Sequence, residues 1–120
     1  MEIKFFEETP QPREEVRIKQ LGLYLYPDRR RVQVGFVLTA FGERPSLQVT
    51  ITNPQGQEVG SLHVIETLET NFSLTMHLRD KEPADSYTVT ATLYYATPET
   101  EREDVHTISR VLDGTRVGEQ

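Results

Sequence analysis

Chemistry in this chain has to start from its three histidines, because cysteine is absent and imidazole is the side chain that titrates near neutrality. His63 and His77 bracket the stretch "HVIETLETNFSLTMH", with Glu66 and Glu69 between them, and imidazole plus carboxylate is a donor set that suits zinc or another transition metal. Alternation with Phe72, Leu74, Met76 and Leu78 sends His77 to the solvent side, and the spacing lacks the tightness of a metal motif. No bound metal is therefore expected. His106 follows Asp104 by two residues, so an extended backbone points both to one face and predicts a surface ion pair. Asp85, Glu99, Glu101, Glu103, Asp104 and Asp113 fall in predicted end loops, where β-rich domains gather calcium ligands. A solvated acidic loop is the simpler expectation for them.

Other reactive patterns are missing. No G-x-S-x-G elbow exposes a serine nucleophile, and the glycines are scattered, with none forming a phosphate-cradling loop. The expectation is a chain with no catalytic residue, no cofactor and no enzymatic activity. Arg29, Arg30 and Arg31 form a basic run that reads either as a patch for an acidic partner or as a solvated hairpin tip. The triplet from Asn71 to Ser73 fits a glycosylation acceptor only in a secreted setting. A net charge of -6 adds long-range repulsion to any encounter with nucleic acid or an anionic membrane, so neither is an expected partner. The opening "MEIKFFEETP" carries acids where a signal peptide needs a basic region, and no apolar run approaches the roughly 20 residues of a membrane span. A soluble, cytoplasmic protein is expected.

The elements that would position these residues are legible from period-two alternation, which recurs in seven short blocks separated by turn residues. "EVRIKQLGLYLYP" has Val16 and Ile18 in one phase and Leu21, Leu23 and Leu25 in the other, which requires a β-bulge near Gln20. The next blocks bury Val32, Val34, Phe36 and Leu38, then Leu47, Val49 and Ile51, then Val59, Leu62 and Val64, with "NPQGQE" as a tight turn. Phe72, Leu74, Met76 and Leu78 line the fifth, and Tyr87, Val89, Ala91, Leu93 and Tyr95 the sixth. The last runs from Val105 to Leu112 after an acidic loop "TPETERED", with either Val105 and Val111 or Ile108 and Leu112 inward. Frequent Val, Thr, Tyr and Ile favour pleated structure over helix. Residues 1–14 read as an arm and proline-bearing spacer, 15–112 as one β-sandwich, and 113–120 as a flexible tail. The sheets are expected to join strands 1, 2, 5 and strands 3, 4, 6, 7.

Seven strands of this length, with a tyrosine opening the sixth just after an acidic "EPAD" link, resemble the immunoglobulin-like and fibronectin type III-like sandwiches over residues 15–112. The resemblance implies an all-β, seven-stranded antiparallel sandwich, and it gives Tyr87 the role of a structural corner whose hydroxyl bonds back to the preceding loop. The chain is also similar to small uncharacterised bacterial proteins of this kind, which implies no activity.

One surface remains for a partner. The outward positions of the sixth strand carry Thr88, Thr90, Thr92 and Tyr94, and the third strand beside it presents Gln48, Thr50 and Thr52. A flat, uncharged face loses little on desolvation, with Tyr94 as an apolar anchor, joined by Ile108 if its phase is outward. The expected function is a non-catalytic protein interaction or scaffold module; the alternative is a domain binding a small ligand, a metal or a carbohydrate. Homodimerisation is a further expectation, through Phe5 and Phe6 of the arm or through an edge strand.

Overall fold

A computed structural model describes residues 9–116. After a 3₁₀ turn at Arg13–Glu15 come β1 (Ile18–Leu25), β2 (Arg31–Leu38), β3 (Ser46–Thr52), β4 (Glu58–Val64), β5 (Asn71–His77), β6 (Ser86–Thr97) and β7 (Thr100–Asp113). They form two antiparallel sheets, ordered β1-β2-β5 and β4-β3-β6-β7. No α-helix occurs among the described residues. The expected division of strands between sheets is the one observed.

The core follows the alternation. Val32, Val34, Phe36, Leu38, Leu47, Val49, Ile51, Val89, Ala91 and Leu93 are all at most 1% exposed, so the inner faces meet with water excluded. Each large side chain among them contributes roughly 1.5–3 kcal/mol on burial. The phase change in β1 is absorbed by a register shift between Ile18 and Gln20, which returns Leu21, Leu23 and Leu25 to the inner face. At the β4 and β5 sides the closure is incomplete. Leu62, Val64, Phe72 and Leu74 are only partly buried, and Ile65 and Leu68 in the link between these strands are 65% and 70% exposed.

The last two strands depart from expectation. "TPETERED" is no loop: β6 runs to Thr97 and β7 begins at Thr100, because the Thr97 hydroxyl accepts from the Glu99 and Thr100 N–H groups and closes a tight hairpin. Two register shifts follow the hairpin, between Tyr95 and Thr97 and between Leu93 and Tyr94, and together they leave odd residues of β6 opposite even residues of β7, opposing Ala91 to Ile108 and Tyr87 to Leu112. Ile108 and Leu112 face the core, and Val111 is outward and 68% exposed.

Candidate interaction surface

Strand pairing assembles the hydroxyl-bearing residues into rows across the outer face of the four-stranded sheet. His63, Gln48, Thr92 and Thr107 form one row, and Ser61, Thr50, Thr90 and Ser109 the next. Thr52, Thr88 and Val111 continue the face beyond a register shift in β3 and β4. Not one residue in the two complete rows is Asp, Glu, Lys or Arg, in a chain that is 27% charged; in the third, Glu58 on β4 stands opposite Thr52. Within the rows the hydroxyls satisfy each other: Thr90 Oγ1 and Ser109 Oγ lie 2.9 Å apart, and Thr107 Oγ1 donates to Thr92 Oγ1 at 3.1 Å. Such cross-strand hydroxyl pairs stabilise the sheet.

Tyr94 does not serve as an exposed anchor. It lies on this side of the sheet but is only 6% exposed, because the Arg102 guanidinium sits 4.1 Å over its ring and its hydroxyl shares a 2.9 Å hydrogen bond with His63 Nδ1. The register shift at Leu93 and Tyr94 places β7 so that Arg102, itself paired with Asp104 at 2.6 Å, reaches across the ring. Ile108 is also removed from the face, by pointing inward. The apolar member is Val111, which the sequence reading left unresolved with the phase of β7. Ser61, Thr107 and Ser109 were missed for the same reason: their alternation is visible, but the pairing register that aligns them is not.

The other candidate residues are placed apart. His63 faces outward on the four-stranded sheet and His77 on the three-stranded sheet, so the sandwich thickness separates them; no group of three or more metal-ligating side chains occurs among the described residues. His106 does not pair with Asp104. Its Nδ1 accepts from the Ile18 N–H at 2.9 Å, and burial, with Arg17 nearby, lowers its pKa below the usual histidine value. The six end-loop carboxylates are split, Asp85 and Asp113 at one end of β6 and β7 and the others near the opposite end of a 12-residue strand, roughly 36 Å long at ~3.3 Å per residue.

The arginine run sits at the tip of the β1–β2 hairpin with Arg30 exposed, as the hairpin-tip reading expects, and its guanidinium groups are engaged. Arg30 donates to the Asp80 and Lys81 carbonyls, at 2.5 and 2.9 Å, and Arg29, in left-handed conformation with φ of 55°, donates to the Ala84 carbonyl at 3.2 Å. Arg31 pairs with Asp28 at 2.9 Å and lies 4.3 Å over the Tyr26 ring; Asp28 is in turn held below the usual carboxylate pKa, chiefly by the Arg30 N–H and then by Arg31. These contacts lace the β1–β2 hairpin to the loop before β6. The Tyr87 hydroxyl accepts from the Ala84 N–H at 2.9 Å in the same loop, and burial raises its pKa. Between this loop and the 53–58 turn lies an open cleft of about 900 Å³ lined by Asn53, Gln57, Glu58, Arg79, Asp80 and Asp85. Asn53 fills its base, bonding Gln57 and Asp80.

At the opposite end Arg13 pairs with Glu43 and, at 2.9 Å, with Glu103, and covers the Tyr95 ring at 4.6 Å. The Tyr95 hydroxyl donates to the Glu43 carbonyl, and burial pushes its pKa up to about 12, so it stays a donor. Gln11 forms a parallel bridge with Phe41: its N–H donates to the Ala40 carbonyl at 3.0 Å and its carbonyl accepts from the Gly42 N–H at 3.3 Å, which ties the segment before β1 to the sandwich. Residues 1–8 and 117–120, which include Phe5 and Phe6, lie outside the described residues.

No family model and no curated protein matches the sequence. Among solved structures, the chain is similar to a glycosyl hydrolase family 2 member from Bacteroides cellulosilyticus, with a TM-score of 0.52 at 10% identity over 82% of this chain and 15% of that one. It is also similar to the Lactobacillus rhamnosus beta-glucuronidase, with a TM-score of 0.49 at 12% identity over 82% of this chain and 16% of that one. The chain thus spans a small fraction of these proteins' length, and at 10% identity the likeness to the Bacteroides protein is one of fold alone: an all-β sandwich. No helix among the described residues is long and apolar enough to cross a membrane.

Proposed function

We propose that this chain is an immunoglobulin-like, fibronectin type III-like sandwich that acts as a non-catalytic protein interaction module, with the outer face of the β4-β3-β6-β7 sheet as its binding surface. The observation that carries the reading is the pair of complete rows, four strands wide, without a charged side chain. A partner gains contact with this face without stripping water from an ion, whereas desolvating charges is expensive. Val111 at 68% exposure supplies apolar area at the margin. The split of seven strands into sheets of three and four, and the Tyr87 hydroxyl on the Ala84 N–H, support the family resemblance. The similarity to 15% of a much longer glycosyl hydrolase fits a part that accompanies an activity located elsewhere.

The test is affinity capture with the wild-type chain beside Thr90→Lys and Val111→Glu variants, each shown by thermal melting to remain folded. A specific partner held by the wild type and lost with both substitutions is expected. Partners that bind all three equally would exclude this face.

A second reading, a binding site for a sugar, a small ligand or calcium, rests on the open cleft between the 53–58 turn and the 79–85 loop, where carboxylates and amides stand together. A ligand seated there raises the melting midpoint. A panel of sugars and of calcium and zinc salts that leaves the midpoint unmoved counts against it.

A further inference from the structure

The sheets of this sandwich have four edges, and three are guarded. On β1, the Ile18 N–H is bonded to His106 Nδ1 and the Leu21 carbonyl accepts from Arg110 Nη1 at 2.6 Å, so β7 side chains cover that edge. β7 itself carries Glu101, Arg102, Glu103, Asp104, Arg110 and Asp113, and β4 has Glu58 and a register shift beside it. Charges, bulges and covering groups are the devices that stop an edge from pairing. β5, "NFSLTMH", has none among the described residues: it contains no Asp, Glu, Lys, Arg or Pro and runs alongside β2 without a register shift.

Which β5 backbone groups are open follows from the ladder. Leu78 N–H bonds the Arg30 carbonyl at one end and the Thr70 carbonyl accepts from Leu38 N–H at the other, so even-numbered residues point toward β2. Asn71, Ser73 and Thr75 therefore aim N–H and C=O away from the sheet, with no backbone partner among the described residues. His77 is different, since its carbonyl faces β4 close to Gly60.

We propose that β5 is the contact surface for a second copy of this chain, the two strands pairing antiparallel about a two-fold axis at Ser73. This register matches every open group: Asn71 opposes Thr75, Ser73 opposes itself, and Thr75 opposes Asn71. Antiparallel bonding requires residues of this parity to face each other, and here they do. Side chains match as well. Phe72 meets Leu74 on the inner face, where both are only partly buried in the single chain, and small polar groups meet on the outer face. No like charges oppose. A two-fold axis normal to the sheet also brings the half-open β4 sides of the two copies, with Leu62 and Val64, to the same seam. This surface is separate from the hydroxyl rows, and the inference stands without them.

Three measurements on the full chain test it. Sedimentation analysis over a range of concentrations should give a mass of twice 13.8 kDa, and Ser73→Lys, which sets two ammonium groups opposite each other on the axis, should move the midpoint to roughly fivefold higher concentration or beyond, with melting unchanged at concentrations where both proteins are monomeric. Because the chain has no cysteine, Ser73→Cys should yield a single cross-linked dimer under mild oxidation, while Thr50→Cys should not. Deleting residues 1–8 should leave the dimer intact. A wild-type mass of 13.8 kDa at every concentration, a dimer indifferent to Ser73→Lys, or one lost only on deleting the arm would each overturn the proposal.

Discussion

Replacing Tyr87 by Phe removes one oxygen and keeps the ring. The ring is 2% exposed and sits among core residues, so its packing is conserved and no cavity opens. What is lost is the acceptor for the Ala84 N–H, 2.9 Å away in a loop that is partly buried. A net hydrogen bond of this type contributes about 1 kcal/mol, and leaving a buried donor unmet costs about 1–3 kcal/mol. Water has some access at Ala84, so a loss of about 1–2 kcal/mol follows. With 120 residues and an unfolding entropy near 2.1 cal/mol/K per residue, about 1 kcal/mol corresponds to about 4 °C. Calorimetry should therefore show Tm reduced by about 4–8 °C, from the size of this loss. Amide exchange at Ala84 should accelerate, since the proton loses its partner, while exchange in β3 and β6 should fall only with global stability. A variant whose Tm and Ala84 exchange both match the wild type would refute the assignment of this hydroxyl to the loop.

His106→Gln tests a pH dependence. The folded state holds His106 below its ordinary pKa of 6.5, so its contribution is complete above that pH and lost as pH falls below it; melts from pH 7 to 5 should decline less steeply in the variant. An equally steep decline would assign the acid sensitivity elsewhere. Arg30→Ala cuts the bonds to the Asp80 and Lys81 carbonyls, so trypsin should cleave at exposed Arg79 and Lys81 faster, with stability reduced by about 1 kcal/mol. Unchanged cleavage would show that the loop is held without it. At Gly114 an added Cβ would clash with the Ala84 carbonyl oxygen, so Gly114→Ala should destabilise by about 1–3 kcal/mol in thermal or denaturant melts. An unperturbed midpoint would mean that the turn after β7 yields freely.

Local pattern determined a great deal. Alternation in Val32, Val34, Phe36 and Leu38, and in Tyr87, Val89, Ala91, Leu93 and Tyr95, marks inward positions because a pleated strand turns successive side chains to opposite sides, whatever the strand pairs with. The phase change near Gln20 announces its bulge for the same reason. Where two phases were equally apolar, as in "VHTISRVL", the sequence had no means of choosing, and the tertiary structure chose through the pairing of β7 with β6, whose register shifts twice along the ladder. The resulting pairing, with Ala91 opposite Ile108, turns Ile108 inward and leaves Val111 in water, and the same strand brings Arg102 over the Tyr94 ring. The arginine run and the histidines tell the same story: Arg29 and Arg30 find carbonyls 55 and 50 positions away, while His63 and His77 end on opposite faces. Side-chain periodicity is a property of one strand and is written in its residues; register, edge exposure and long-range pairing belong to two strands at once, and only the assembled sheets decide them.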